Sequence, residues 1–215
     1  LFTLIQAAGW PIYFLLACCF AGVYVITRLF LRLRWADIGS LALLEEAIAV
    51  SAKQLPKREI AEQLAVHSRL GALLASGWLA LIDQPQLSSQ ELLDHMTQTG
   101  KRLAHDLNRY LGALSALVSL APLLGLFGTV IGMIDIFGAQ ASHTASGLAG
   151  QANPAELAHG ISVALYNTAF GLIIAVVALL FWRYFRARVD SQILFLEEAG
   201  HRFSLHLRRQ FLQSN

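Results

Sequence analysis

The chain has 215 residues, of which 56% are hydrophobic and only 14% charged, and its formal charge is +2. These proportions exclude a soluble domain with an ordinary polar surface and fit a small multi-pass membrane protein. The net charge decides little, because the placement of the basic residues matters more than their sum.

In chain order, residues 1–10 form a short segment before the first apolar run. The chain opens on Leu1 and not on methionine, so it is read as starting inside a longer product. Three runs, 11–31, 111–137 and 161–183, reach the roughly 20 apolar residues that a helix needs to span the hydrocarbon core. The first is longer than a signal-peptide core and leads into Arg28, Arg32 and Arg34 without a small-residue cleavage pattern, which predicts a span. It carries Cys18 and Cys19 side by side, where a disulfide would be strained, so both read as packing or lipid-facing residues. Every Lys and Arg lies from Arg28 to Arg109 or from Arg183 onward. That bias predicts a cytoplasmic insertion at 32–110 and a cytoplasmic tail at 184–215, with 1–10 and the loop 138–160 outside. Trp10 and Tyr13 on the outer side, and Trp35, Trp182 and Tyr184 on the inner, suit interfacial belts.

The insertion reads as helical, punctuated at Pro56 and Gln84-Pro85-Gln86. Ile38–Lys53 has apolar positions at helical spacing, and Glu59–Ile82 carries a second apolar face through Leu64, Leu70, Leu73, Leu74, Trp78 and Leu81. Ser88 and Glu91 stand in capping-box register ahead of Leu92, Met96, Leu103 and Leu107. Only Gly100 and Gly112, which a helix tolerates, stand between this helix and the second span, so a helix running unbroken to Phe137 would be about 70 Å long, nearly half of it cytoplasmic. The outer loop is rich in Ala, Ser and Gly, and Asn153-Pro154 is placed to start the next helix. In the tail, Val189, Ile193, Leu196, Phe203 and Leu207 recur by threes and fours around Gly200. This predicts an amphipathic helix, either bundled with the insertion or a neighbouring subunit or simply a tail.

Two spans carry stripes of small residues. Gly125, Gly128 with Thr129, Gly132 and then Asp135 recur by threes and fours in the second, just after Pro122. Gly160, Ala164, Thr168, Gly171, Ala175 and Ala178 do so in the third, flanked by Asn167. A helix crossing alone has no use for such a stripe, since glycine and proline lower helix propensity. Two readings stand: close helix packing with the threonine hydroxyls bonded to backbone carbonyls, or the lining of a passage for a third element. Asp135 is the sole acid within a span, near its outer end. An acid costs about 2.5–3.5 kcal/mol at the bilayer centre and less near an interface, so Asp135 is either a proton or cation access group or a hydrated interfacial acid. The seven histidines, His67, His95, His105, His143, His159, His201 and His206, stand singly without metal-ligand spacing. No nucleophile–base pair and no phosphate-cradling glycine loop suggests an enzyme, no cofactor is implied, and the basic residues need no nucleic acid to explain them.

Ala121-Pro122-Leu123-Leu124-Gly125-Leu126-Phe127-Gly128-Thr129-Val130-Ile131-Gly132, together with Gly160-Ile161-Ser162-Val163-Ala164-Leu165-Tyr166-Asn167-Thr168-Ala169-Phe170-Gly171-Leu172, resembles the MotA/TolQ/ExbB proton-channel family, most of all its ExbB/TolQ branch. Three spans, an insertion between the first two and a cytoplasmic tail match as well. The resemblance implies an all-α integral membrane protein with long helices extending into the cytoplasm, assembled as a homopentamer in the bacterial inner membrane. It implies a dimer of a single-span partner resembling ExbD, TolR or MotB inside the pore, whose aspartate carries the proton, and an envelope partner driven by the proton motive force. Thr129 and Thr168 match the family's polar threonines facing that aspartate, with Asn167 and Asp135 as further ion-pathway candidates. Pro122, Gly125, Gly128, Gly132, Gly160, Ala164, Gly171 and Ala175 are the candidates for helix packing and pore lining. Val163 stands where ExbB-like members often carry a glutamate, so no such relay is assigned, and Tyr166 and Asn167 replace small or apolar residues. The alternative is a non-conducting membrane scaffold assembled around an envelope partner.

Overall fold

The computed structural model describes residues 9–33, 38–145 and 154–212. Residues 1–8, Trp35 and the middle of the expected outer loop, 146–153, lie outside the described residues, whereas both ends of that loop, 138–145 and 154–160, are helical. Every regular element among those described is helical: α1 (Ile12–Arg32), α2 (Leu41–Lys53), α3 (Arg58–His67), α4 (Arg69–Asp83), α5 (Ser89–Ala145) and α6 (Pro154–Leu207), the last followed by a π-helical turn, Arg208–Leu212.

Three of these, α1, α5 and α6, are long and apolar enough to cross a membrane, and the expected runs 11–31, 111–137 and 161–183 fall in them. Only 22%, 28% and 28% of their most apolar stretches are buried within the chain, so lipid or other subunits must cover the rest. Two helices run further than expected. Gly138, directly after Phe137, does not stop α5, and with no proline following it the helix continues to Ala145. Past Arg183 the good helix formers carry α6 unbroken into the expected tail, with Gly200 as its one weak point. Pro122 also sits inside α5 without ending it. Proline there removes one intrahelical N–H, a loss that membrane helices tolerate when neighbours resupply the freed groups.

The chain divides into two compact units, Leu1–Arg28 with Tyr110–Tyr184, and Leu29–Arg109 with Phe185–Asn215. In the first, α1 and α5 run antiparallel. Gly22 faces Leu117, and the Trp10 ring meets Phe127 edge-on at 6.2 Å between centroids.

The second unit has its own core, with Leu44, Leu70, Leu74, Leu92, Phe185, Phe203 and Leu207 all buried. Trp78 packs edge-on against Phe203 at 5.7 Å, and its Nε1 donates to Ser51 Oγ at 3.2 Å. Ser51 in turn donates to the Ala47 carbonyl, so the one polar edge of this aromatic pair is satisfied. Gly77 admits α5 and α6 closely: a Cβ there would stand 3.1 Å from both Met96 Sδ and Leu207 Cδ1. The continuous face expected over Glu59–Ile82 is broken at Ser68, whose backbone is extended and whose Oγ caps α4 by accepting from Gly71 N at 2.9 Å. Leu70 N donates to the Ile38 carbonyl at 2.8 Å, tying this corner to the start of α2. The carbonyls ending α1 are met by side chains from far along the chain. Arg69 Nη2 donates to Arg32 O at 3.2 Å, and the fully buried Gln192 donates from Nε2 to Leu33 O at 3.4 Å.

Candidate functional site

The two small-residue stripes meet each other. A Cβ on Gly171 would stand 2.6 Å from the Ala121 carbonyl oxygen, and one on Gly125 would stand 2.9 Å from the Asn167 carbonyl oxygen and 3.1 Å from Thr168 Cα. One on Gly132 would stand 3.4 Å from Ala164 Cβ, and one on Gly160 would run into Ile136 Cγ1 at 2.2 Å. As numbers rise along α5 they fall along α6, so the helices form an antiparallel seam. Gly125, Gly128, Gly132, Ala164, Gly171, Ala175 and Ala178 are buried, whereas Pro122 and Gly160 are half-buried. Small residues let the backbones approach, and dispersion at that distance is the main attraction between helices in lipid.

Polar groups punctuate this seam. Thr129 and Thr168 are half-buried. Thr129 Oγ1 donates to the Leu126 carbonyl of its own helix at 2.6 Å, whereas Thr168 Oγ1 crosses the seam to the Gly125 carbonyl at 3.3 Å. Each hydroxyl has spent its one proton on a backbone oxygen and keeps lone-pair capacity to accept from another donor. Asn167 has no exposed surface, and its Nδ2 donates to the Val163 carbonyl one turn back at 3.2 Å. Of the residues expected along an ion path, it is the one drawn wholly between the helices. Asp135 is exposed on α5 within the length of the seam, whereas on α6 Val163 is half-buried and Ala164 is buried.

Sequence spacing finds the seam but not the seat of Asn167. The three atoms nearest a Cβ on Gly128 would all belong to the Asn167 side chain, the closest being its Cβ at 2.6 Å. The sole available signal is an amide in an apolar span. Among the described residues there is no cluster of His, Cys, Asp and Glu that could hold a metal ion. Outside the seam, a cavity of about 300 Å³ in the second unit is lined by Leu73, Met96, Gly100, Leu196 and Gly200, with Lys101 among the polar residues of its lining.

Residues 57–198 match the MotA/TolQ/ExbB proton channel family, a stretch that includes both stripes. The biopolymer transport protein exbB1 of Vibrio cholerae is 31% identical over 170 residues, 79% of this chain and 71% of that protein. A putative biopolymer transport protein ExbB homolog of Methanothermobacter thermautotrophicus is 39% identical over 88 residues, 41% of this chain. A putative biopolymer transport protein ExbB-like 3 of Synechocystis is 33% identical over 103 residues, 48% of this chain. The match spans only 29% of the Methanothermobacter protein and 47% of the Synechocystis protein.

Proposed function

Because the chain belongs to the MotA/TolQ/ExbB proton channel family, we propose that it is the ion-conducting subunit of an inner-membrane motor that energises biopolymer transport. In this reading five copies surround two copies of a single-span partner resembling ExbD, TolR or MotB. The N-terminus is periplasmic and the C-terminus cytoplasmic, as the basic residues at 28–109 and from 183 onward would have it. The partner's intramembrane aspartate carries the proton inward. With Val163 in place of a carboxylate, that aspartate does the titrating alone.

The observation that carries this reading is the state of the two threonines. Both hydroxyls are half-buried with their protons committed to backbone carbonyls, which leaves acceptor capacity for a protonated carboxyl or for water in an otherwise apolar surface. Asp135 is exposed on α5, and in this reading its charge attracts cations to the outer mouth. Each proton crossing a potential of about 150 mV yields roughly 3.5 kcal/mol, enough to bias one step of a partner helix among equivalent sites in a ring.

The test is proton flux into liposomes holding the subunit and its single-span partner. Thr129→Val with Thr168→Val keeps the shape and removes both hydroxyls. Losing two membrane hydrogen bonds of about 0.6 kcal/mol each predicts a fall of about tenfold. Unchanged flux removes the threonines from the path and leaves the seam as packing, the expectation of a non-conducting scaffold.

A further inference from the structure

We infer that Asn167 is a positioning residue: its side chain is seated in the notch at Gly128 and fixes the rotation of α6 against α5, which holds the Thr168 hydroxyl at the Gly125 carbonyl. This rests on the conducting role proposed for Thr168. A buried amide between membrane helices is costly unless it is held, and here Asn167 has no exposed surface and donates to the Val163 carbonyl at 3.2 Å. The fit is steric as well as polar. At Gly128 the atoms a Cβ would meet are Asn167 Cβ at 2.6 Å, Cγ at 2.8 Å and Nδ2 at 3.0 Å, so the side chain fills the space that glycine leaves. The next residue, Thr168, makes the one cross-helix hydroxyl bond of the seam among those described, to Gly125 at 3.3 Å. Because Asn167 and Thr168 are neighbours on one helix, a rotation that unseats the first carries the second away from its acceptor. Gly132 and Ala164, a turn along the seam on either helix, face each other closely enough to report that rotation.

The experiment uses the full chain with Cys18→Ser and Cys19→Ser, carrying Gly132→Cys and Ala164→Cys as a register reporter. A Cβ on Gly132 would lie 3.4 Å from Ala164 Cβ, close to the separation of about 3.5–4.5 Å that a disulfide spans. Oxidation in liposomes should link the pair nearly completely. Gly128→Ala should lower the initial crosslinking rate by about fivefold or more, the effect of about 1 kcal/mol of overpacking, and should lower proton flux in parallel. Gly128→Ala with Asn167→Gly removes the colliding Cβ and should restore both. A crosslink indifferent to Gly128→Ala, or not restored by the pair, overturns the seat. A crosslink lost with flux intact overturns the positioning of Thr168. Asn167→Gly alone, with the crosslink intact and flux lost, would put the amide itself in the ion path and overturn the inference as well. A wild-type complex without flux removes the conducting role, and the crosslink then decides the seat by itself.

Discussion

Along the α5–α6 seam the size of a residue is limited by what lies opposite, and the limit differs between glycines that look alike in sequence. A Cβ on Gly171 would stand 2.6 Å from a backbone oxygen, at Ala121, and 3.0 Å from Gly125 Cα, neither of which can turn aside. A Cβ on Gly132 would make an ordinary contact with Ala164 at 3.4 Å. Alanine raises helix propensity over glycine by about 1 kcal/mol, so propensity alone favours both substitutions. Overpacking of about 1–3 kcal/mol reverses the sign only where nothing can give. Gly171→Ala should therefore lower the thermal midpoint of the detergent-solubilised chain, and Gly132→Ala should leave it level or raise it. Equal effects of the two would mean that the seam is looser than these distances. The same contrast explains why the glycine stripe was legible in the sequence while the seat of Asn167 was not. Spacing of three and four identifies one face of one helix, whereas the meeting of Gly128 with Asn167 depends on the register between two.

Among the helices, the signals that proved legible are local. The start of α5 is a reciprocal capping box, with Ser88 N donating to Glu91 Oε2 at 2.8 Å and Glu91 N donating to Ser88 Oγ at 3.2 Å. The Ser88 backbone N–H, and then its hydroxyl, hold the Glu91 carboxyl below its ordinary value of 4.5. A carboxyl lowered in the folded state adds stability that is complete above the unfolded value and is lost as pH falls through the folded one. Amide exchange at Glu91, corrected for its intrinsic pH dependence, should therefore show a start of α5 that stays closed from neutral pH down to about 5 and frays below 4.5. In Ser88→Ala, which costs about 1 kcal/mol of capping, it should fray at every pH. An end that opens equally at pH 4 and pH 7 would count against the carboxylate. The break between α3 and α4 was not legible, because the apolar spacing from Leu64 to Leu81 runs straight through it. It is made by distant partners. Leu70 N donates to the Ile38 carbonyl, and a Cβ on Gly71 would stand 2.2 Å from the Leu64 carbonyl oxygen, so the corner closes only with glycine there.

For the whole molecule, composition alone pointed to lipid, and the three apolar helices bear that out, but it is the low burial of those helices that asks for neighbours. Phe20, Leu123, Leu126, Ile134, Leu165 and Leu180 are each more than half exposed, a surface too apolar for water and available to lipid or to other copies. The proposed pentamer predicts, by native mass spectrometry from mild detergent, a homomeric assembly at five times the 23.5 kDa chain mass, with two partner chains added on co-expression. A lone chain at every concentration would exclude it. The bond from Gln192 to the Leu33 carbonyl has a consequence of another kind, in time. Its two ends lie 159 residues apart, and ribosomes add about 5–20 residues per second, so some 10–30 s separate the synthesis of that carbonyl from the synthesis of its donor. Arg69 arrives well before Gln192 and can hold the neighbouring Arg32 carbonyl meanwhile. The end of α1 is thus closed in two stages, and its final seal waits on a glutamine translated after the whole of α5 and the apolar stretch 161–183 of α6.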